Sequence, residues 1–431
     1  MRPRLVGTGV LGISLLLAAV ACAGPPAPPA QTPTAPAVRQ APSPTPPPAA
    51  PAFDTDRVVA TIRFLAGEIG SRPAGSEASR RAAEYLVGRL RALGYRAETQ
   101  PFTFRDYVDR GSELRVVGGR LLTANTLRDS PAGSVRGPLA PAGLGRPEEV
   151  AAADLRGKIA LVQRGAITFR EKVRNAAAAG AVGVIIYNNQ PGNFRGTLGE
   201  PGPVPAVSVS QEDGTALAEQ LRNGRLEVEL VVGAEVREVA DQNVVAVRPG
   251  TSGRVVIIGG HYDSVPDGPG ANDNASGTAI SLELARLLAA AGYPHEVRVI
   301  LFGAEENGLI GSAEYVRSLD GETRRRIIAM LNLDMVGVGE RLRLGGSPEL
   351  VNLAMELAGN LGLRPERLPP DQGGGSDHAN FIRENIPALF FWRPDDPAYH
   401  TAGDRPENIE PARVAEVGRL ALAVLEALSR R

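Results

Sequence analysis

The chain has 431 residues, 43% of them hydrophobic and 22% charged, with a formal net charge of -1. That length leaves room for two ordinary domains plus tails, and the near-neutral balance gives no basis for binding nucleic acid or a strongly acidic partner. Cys22 is the single cysteine, so the globular body forms no internal disulfide and depends on packing and any bound metal.

At the N-terminus, Arg2 and Arg4 precede an apolar run from Leu5 to Val20 that is too short for a comfortable membrane span. It ends in Ala19-Val20-Ala21-Cys22, small residues before a cysteine. Residues 1–22 resemble a bacterial lipoprotein signal, which implies export, lipidation of Cys22 and a membrane anchor in the cell envelope. Two or three acyl chains hold a protein stably at a bilayer. An ordinary cleaved signal and secretion are the alternative. Residues 23–52 are almost wholly Pro, Ala, Thr, Gln and Ser, a composition expected to form a disordered, extended spacer.

From Asp54 to Gly94 the spacing predicts helices. Val58, Val59, Ile62 and Leu65 recur with helical period, and so do Ala82, Tyr85, Leu86, Leu90 and Leu93, with Gly94 as the stop. Residues 112–236 read differently, with short β-like runs at Ile159–Val162, Val182–Tyr187 and Val207–Val209, and one helix from Phe169 to Ala179. Beyond residue 237, strands alternate with helices: β-runs at Asn243–Val247, Val255–Gly259, Val297–Phe302, Ile328–Leu333 and Ala388–Phe391, helices at Ala275–Ala291, Leu350–Leu361 and Pro411–Leu428. Apolar strands separated by helices predict an α/β layered sheet covered on both faces. The helical start has no sheet of its own, so residues 53–111 and 237–431 are read as one domain interrupted by an insertion at 112–236.

The chemistry-bearing residues fall at the ends of those strands. Val255–Gly260 runs into His261-Tyr262-Asp263, and Gly270-Ala271-Asn272-Asp273 leads directly into a helix. Val299–Phe302 runs into Gly303-Ala304-Glu305-Glu306, Leu331-Asn332-Leu333 into Asp334, and Phe390-Phe391-Trp392 is followed by Tyr399-His400. Sites in open α/β sheets form at the carboxyl ends of strands. Histidines and carboxylates suit zinc, and this set exceeds what one catalytic zinc takes from a protein, so a two-metal centre accounts for the surplus. Singly, each residue has a plainer reading: Asp273 a helix cap, the Glu pair solvated surface, His400 a loop histidine. Their joint placement at strand ends favours the metal site.

At this point the residues resemble peptidase family M28, the two-zinc aminopeptidases and carboxypeptidases. The likeness is carried by His261-Tyr262-Asp263, Asn272–Gly277, Glu305-Glu306, Asn332-Leu333-Asp334-Met335 and Tyr399-His400-Thr401. It implies a three-layer α/β/α zinc-exopeptidase fold with a mixed sheet, two Zn2+ per chain, and peptide substrates. It further implies that Asp273 bridges the ions, that His261 and Asp334 hold one, and that Glu306 and His400 hold the other. Asp263 would orient His261, Glu305 would act as general base on the attacking water, and Tyr399 would donate to the tetrahedral oxyanion or else simply pack. The middle region resembles a protease-associated (PA) domain, a β-rich insertion, through Gly157–Gly165, Phe169, Lys172 and Ala179–Asn189.

Asp377 and His378 are read as buried hydrogen-bonding groups rather than ligands, His295 as a surface residue, and Asp404 as a brace for the His400 loop or a turn cap. The leading expectation is a monomeric aminopeptidase. A carboxypeptidase or dipeptidase of the same fold, a glutaminyl cyclase-like transferase using one zinc, and a non-catalytic PA-domain binding protein are the alternatives. Retention of the whole ligand set argues against the last two.

Overall fold

Asp54 starts the first helix, α1 (Thr55–Ile62), by accepting a hydrogen bond from the Arg57 amide at 3.2 Å. The computed structural model describes residue 24 and residues 52–369 and 375–430, so Cys22, the expected signal and nearly all of the spacer lie outside the described residues. Among the described residues, no helix is long and apolar enough to cross a membrane. The chain widens into a π-helical stretch over Arg63–Ile69, turns, and enters α2 (Glu77–Ala92), capped by Ser76 through the Ser79 amide.

A long strand, β1 (Arg96–Val116), then leads out to the inserted domain. There the chain forms β2 (Leu121–Leu122), β3 (Asn125–Thr126), β4 (Gly133–Pro141), α3 (Pro147–Ala152) and β5 (Ile159–Gln163). It continues through α4 (Phe169–Ala178), β6 (Gly183–Tyr187), β7 (Ala206–Val209) and α5 (Gln211–Asn223). Strands β4, β5, β6 and β7 run parallel, with β3 antiparallel at the edge. Alternating residues feed two cores: Val162, Val184 and Ile186 pack on Val173 of α4, while Leu161, Ile185 and Val207 pack on Leu217 of α5.

The return strand, β8 (Glu227–Arg248), pairs antiparallel with β1 from Arg96↔Val247 to Val116↔Val228, with one irregularity between Asp109 and Gly111. This two-stranded ribbon carries the insertion. The periodicity reading found only Asn243–Val247 of it, because each strand serves two domains and changes its buried face along the way. Both expected edges of the insertion therefore fall inside paired strands.

The outer domain completes itself with β9 (Val255–His261), α6 (Ser276–Ala291), β10 (Glu296–Phe302), α7 (Ile310–Ser318), α8 (Gly321–Arg326) and β11 (Ile327–Asp334). Then follow β12 (Arg343–Gly346), α9 (Pro348–Asn360), β13 (Glu366–Arg367), α10 (His378–Arg383), β14 (Ala388–Trp392) and α11 (Pro411–Leu428). The sheet order is β13-β12-β14-β11-β9-β10-β8, with β1 beyond β8. Strands β14, β11, β9 and β10 are parallel, whereas β12 and β8 run antiparallel to them, so the sheet is mixed.

Both faces of the parallel centre are buried. Val256 and Ile258 point into a core shared with α1, α2, α6, α9 and α11, and Val255 and Ile257 point the other way, towards Tyr315 of α7 and Phe381 of α10. The result is three layers, helix–sheet–helix, with the carboxyl ends of four parallel strands opening on one edge.

Candidate metal centre

Two glycines let the pieces of the site meet. A Cβ on Gly260 at the end of β9 would lie 2.3 Å from the Leu333 carbonyl oxygen, and one on Gly277 at the start of α6 would lie 2.0 Å from the same atom. Strand β11 is thereby packed tightly between them, and the side chains that follow converge. Met335 after Asp334, Ala304 before Glu305 and His400 itself have positive φ (53°, 52° and 58°). Such strained backbone at non-glycine residues gathers at functional sites. The Asp273–Asn274 peptide is cis.

Two donor groups share one residue. His261 Nε2 lies 3.2 Å from Asp273 Oδ1 and 3.3 Å from Asp334 Oδ1. On the other side, His400 Nε2 lies 3.1 Å from Asp273 Oδ2 and 3.0 Å from Glu306 Oε2. In each group the ligand-type atoms all fall within 4.8 Å of one another, and Asp273 belongs to both. The structure thus brings together all five expected ligands.

The electrostatics are those of crowded carboxylates. Burial lifts Glu306 to about 7, and its Oε1 is buried with no hydrogen-bond partner. Burial likewise lifts Glu305 well above the usual carboxylate range, with the charges of Asp334, Asp377 and Glu306 adding to it. Burial works against a charged His400, but the Asp273 and Glu306 carboxylates outweigh it and raise the imidazole to about 10. Protons drawn onto these groups offset negative charge, a task that a dication performs with the same donors. Two imidazoles and three carboxylates, one carboxylate shared, fit a pair of borderline cations such as zinc. The arrangement is one that could hold metal ions.

The sequence profile of peptidase family M28 matches residues 243–425, and that of the PA domain matches residues 135–217. The aminopeptidase YwaD of Bacillus subtilis is 35% identical over 395 residues, covering 86% of this chain and 84% of the relative. The chain belongs to peptidase family M28. Among solved structures, an aminopeptidase from Aneurinibacillus sp. strain AM-1 is 37% identical, with a TM-score of 0.79 over 86% of this chain and 93% of that one. BSAP, a zinc aminopeptidase from Bacillus subtilis, is 33% identical, with a TM-score of 0.69 over 88% and 96%.

Around these two donor groups, the remaining expected residues fall as follows. Asp263 is fully buried, with Oδ1 3.4 Å from His261 Nδ1, and its two oxygens accept the Glu305 and Glu306 amides at 3.2 and 3.3 Å. Glu305 and Tyr399 both line a cleft of ≈ 320 Å³ with Asp273, Glu306 and Asp334. The Tyr399 ring stacks on His400 at 3.7 Å, and the residue is 48% exposed. Asp377 and His378 are buried, with the His378 ring stacked on Phe390 at 4.2 Å and neither residue in the donor groups.

Two expectations are corrected. His295 is not a surface residue: it is 2% exposed, with Nδ1 2.6 Å from Ser252 Oγ and Nε2 3.0 Å from the Leu428 carbonyl, which ties α11 to the sheet. The Asp404 side chain braces the Asp273 segment rather than its own loop, since its two oxygens accept the Asn272 and Asp273 amides at 2.7 and 3.0 Å.

Arg72 was missed altogether. It is fully buried, and its guanidinium donates to the carbonyls of Tyr262, Leu65, Gly70, Pro269 and Gly270 at 2.6–3.0 Å. Burial lowers it to about 10, while Asp263, Asp404, Asp273 and Glu306 hold its charge on. Its charge thus sits beside carboxylates of both donor groups. A lone arginine among Gly70, Ser71, Pro73 and Gly75 carries no signal of burial. Ser376, which donates to Asp334 Oδ2 at 2.7 Å, was missed for the same reason.

Proposed function

We propose that the chain is a two-zinc aminopeptidase that removes the N-terminal residue of peptides. The observation that carries this reading is the pair of donor groups joined through Asp273 in the wall of the cleft that Glu305 lines. His261 and Asp334 would hold one ion, Glu306 and His400 the other, and Asp273 both. When bound, the ions supply a water acidified towards neutrality and a Lewis-acid hold on the scissile carbonyl.

The protein's own groups do the rest. Asp263 fixes the His261 ring and the amides of the Glu305–Glu306 turn. Glu305 takes the proton of the attacking water on its carboxylate and returns it to the leaving amine. Tyr399, in the same cleft, offers a hydroxyl to the oxygen that becomes negative in the transition state.

Cleft chemistry supports the amino end over the carboxyl end. Asp273, Glu305, Glu306, Asp334 and Asp396 line it, and among the described residues no lysine or arginine does. With Asp273, Glu306 and Asp334 neutralised by the ions, Glu305 and Asp396 are the acidic groups left to meet a substrate's ammonium, and no side-chain cation among those residues lines the cleft to meet a terminal carboxylate. Met335, Phe390, Trp392 and Pro394 form the apolar side, which suits an apolar first side chain. The volume is at the low end for small-molecule sites, which fits a chain end rather than an extended segment. The names of the relatives agree with this reading.

The test is an assay on free and N-acetylated peptides, with chelator and zinc add-back. Cleavage of free N-termini alone, abolished by chelator and restored by zinc, is expected. Indifference to acetylation would redirect the case to a carboxypeptidase, and indifference to chelator would end it. Glu305→Gln should retain both zinc ions and lose about 10²–10⁴ in turnover; unchanged turnover refutes its role as base. Export and anchoring through Cys22 belong to the same proposal and rest on the leader sequence. Cys22→Ala should release the protein from the membrane fraction.

A further inference from the structure

The turn that bears Glu305 and Glu306 is held from two directions. It joins β10 to α7 with positive φ at Ala304, Gly308 and Leu309 (52°, 113° and 62°). From beneath, Asp263 holds its amides. From the side it is held by Asn307, the residue directly after Glu306. Asn307 Nδ2 donates to Asp106 Oδ1 at 2.7 Å, and the Asn307 carbonyl accepts from Arg128 Nη2 at 3.2 Å.

Neither partner belongs to the strands that carry the donor groups. Asp106 lies on β1 of the ribbon, 6% exposed and paired across to Arg237 of β8, whose guanidinium takes its Oδ2 at 3.0 Å. Arg128 belongs to the inserted domain. Its amide donates to the Gly196 carbonyl at 2.8 Å, and its carbonyl accepts the Leu198 amide at 2.9 Å. Tyr107, beside Asp106, donates to the Ser130 carbonyl at 2.9 Å, so ribbon and inserted domain are fastened to each other where they reach the turn.

We propose that the PA domain positions the Glu305–Glu306 turn through Asn307, which is gripped by Asp106 of the ribbon and Arg128 of the insertion. The inference rests on the reading of Glu305 as base and Glu306 as metal ligand. Asn307 touches no substrate in this scheme; it is a positioning residue. The hydrogen bond to Asp106 is charge-assisted and half shielded from water, which makes it stronger than an ordinary turn contact. A catalytic group misplaced by about 1 Å costs on the order of 100-fold in rate, so a partial slackening of this turn is visible in kcat.

The experiment uses the full chain and an exchange of partners. Asn307→Asp places a carboxylate against Asp106, and Asp106→Asn combined with it exchanges donor and acceptor across the same gap. Asn307→Asp is expected to lower kcat about tenfold, with KM within about twofold, and to shift the acid limb of the kcat profile. The double variant is expected to recover most of the loss. Arg128→Ala, which buries no new charge, is expected to lower kcat in the same sense with zinc content unchanged, and it decides the matter if Asn307→Asp does not fold. Wild-type kcat and pH profile in Asn307→Asp and Arg128→Ala would overturn the proposal, as would a double variant no faster than the single one. A merely structural contact would lower Tm and leave kcat and its pH profile in place. Failure of the general-base reading shows separately, as turnover retained by Glu305→Gln.

Discussion

Replacing Arg72 by methionine tests how much of the site is held up from below. Arg72→Met keeps a long unbranched side chain and removes a guanidinium that serves five carbonyls at 2.6–3.0 Å. Counted singly, at about 1.5–3 kcal/mol for each bond to a charged donor, these bonds would exceed much of the stability of an ordinary domain. They are therefore not additive. Gly70 and Pro269 are half-buried, so water replaces the guanidinium there, whereas Leu65, Tyr262 and Gly270 are buried and lose their donor outright. The working figure is that for losing one member of a buried ionic network, about 3–5 kcal/mol. Arg72→Lys keeps the charge but not the planar fork, and a loss smaller than that of the methionine variant is expected. Urea unfolding of the chelated protein reads both values. Trp392 is the only tryptophan and lines the cleft, so its fluorescence follows this domain. A methionine variant within about 1 kcal/mol of wild type, or a lysine variant weaker than the methionine one, would refute the account.

Three further outcomes follow from the geometry. Asp273→Ala should lose both metals together by equilibrium dialysis, because the two donor groups share that carboxylate; a fully loaded variant contradicts the bridging role. Tyr399→Phe keeps the ring stacked on His400 but removes the hydroxyl, and kcat should fall about 100-fold with KM little changed; an unchanged kcat leaves the tyrosine as packing only. Asp241 is 3% exposed, and burial, then the Asp263 charge, pushes its carboxyl up to about 6 from 3.8. The folded protein therefore takes this proton before the unfolded chain does, and the charge destabilises the fold above pH 6. Asp241→Asn should raise stability by up to roughly 3 kcal/mol at pH 8. That gain should shrink as pH falls through 6 and vanish below about 4; a gain that is flat with pH would show that the charge is not its source.

The parts legible in the sequence were those with a one-dimensional signature. Strands β9, β11 and β14 are buried on both faces and read as apolar runs, and each delivers a histidine or carboxylate at or just beyond its end. The supports were illegible because they are defined by remote backbone. Arg72 finds its acceptors at Leu65, Gly70, Tyr262, Pro269 and Gly270, and Asp404 finds its donors at Asn272 and Asp273. His295 looked exposed beside Pro294 and Glu296, and only the return of α11, with the Leu428 carbonyl, covers it. The grip on Asn307 required Asp106 and Arg128, residues with no motif of their own. Local pattern predicts what a segment wants to bury; it is silent on which distant carbonyl a buried cation will meet.

The ribbon of β1 and β8 also has a mechanical meaning. A domain hung on single strands swivels freely, but this one is joined by backbone hydrogen bonds running from Arg96↔Val247 to Val116↔Val228. Tilting it means twisting or shearing that ladder. The insertion is thus tied to one side of the sheet along the whole ribbon, and the irregularity between Asp109 and Gly111 marks the point where that ladder bends most readily.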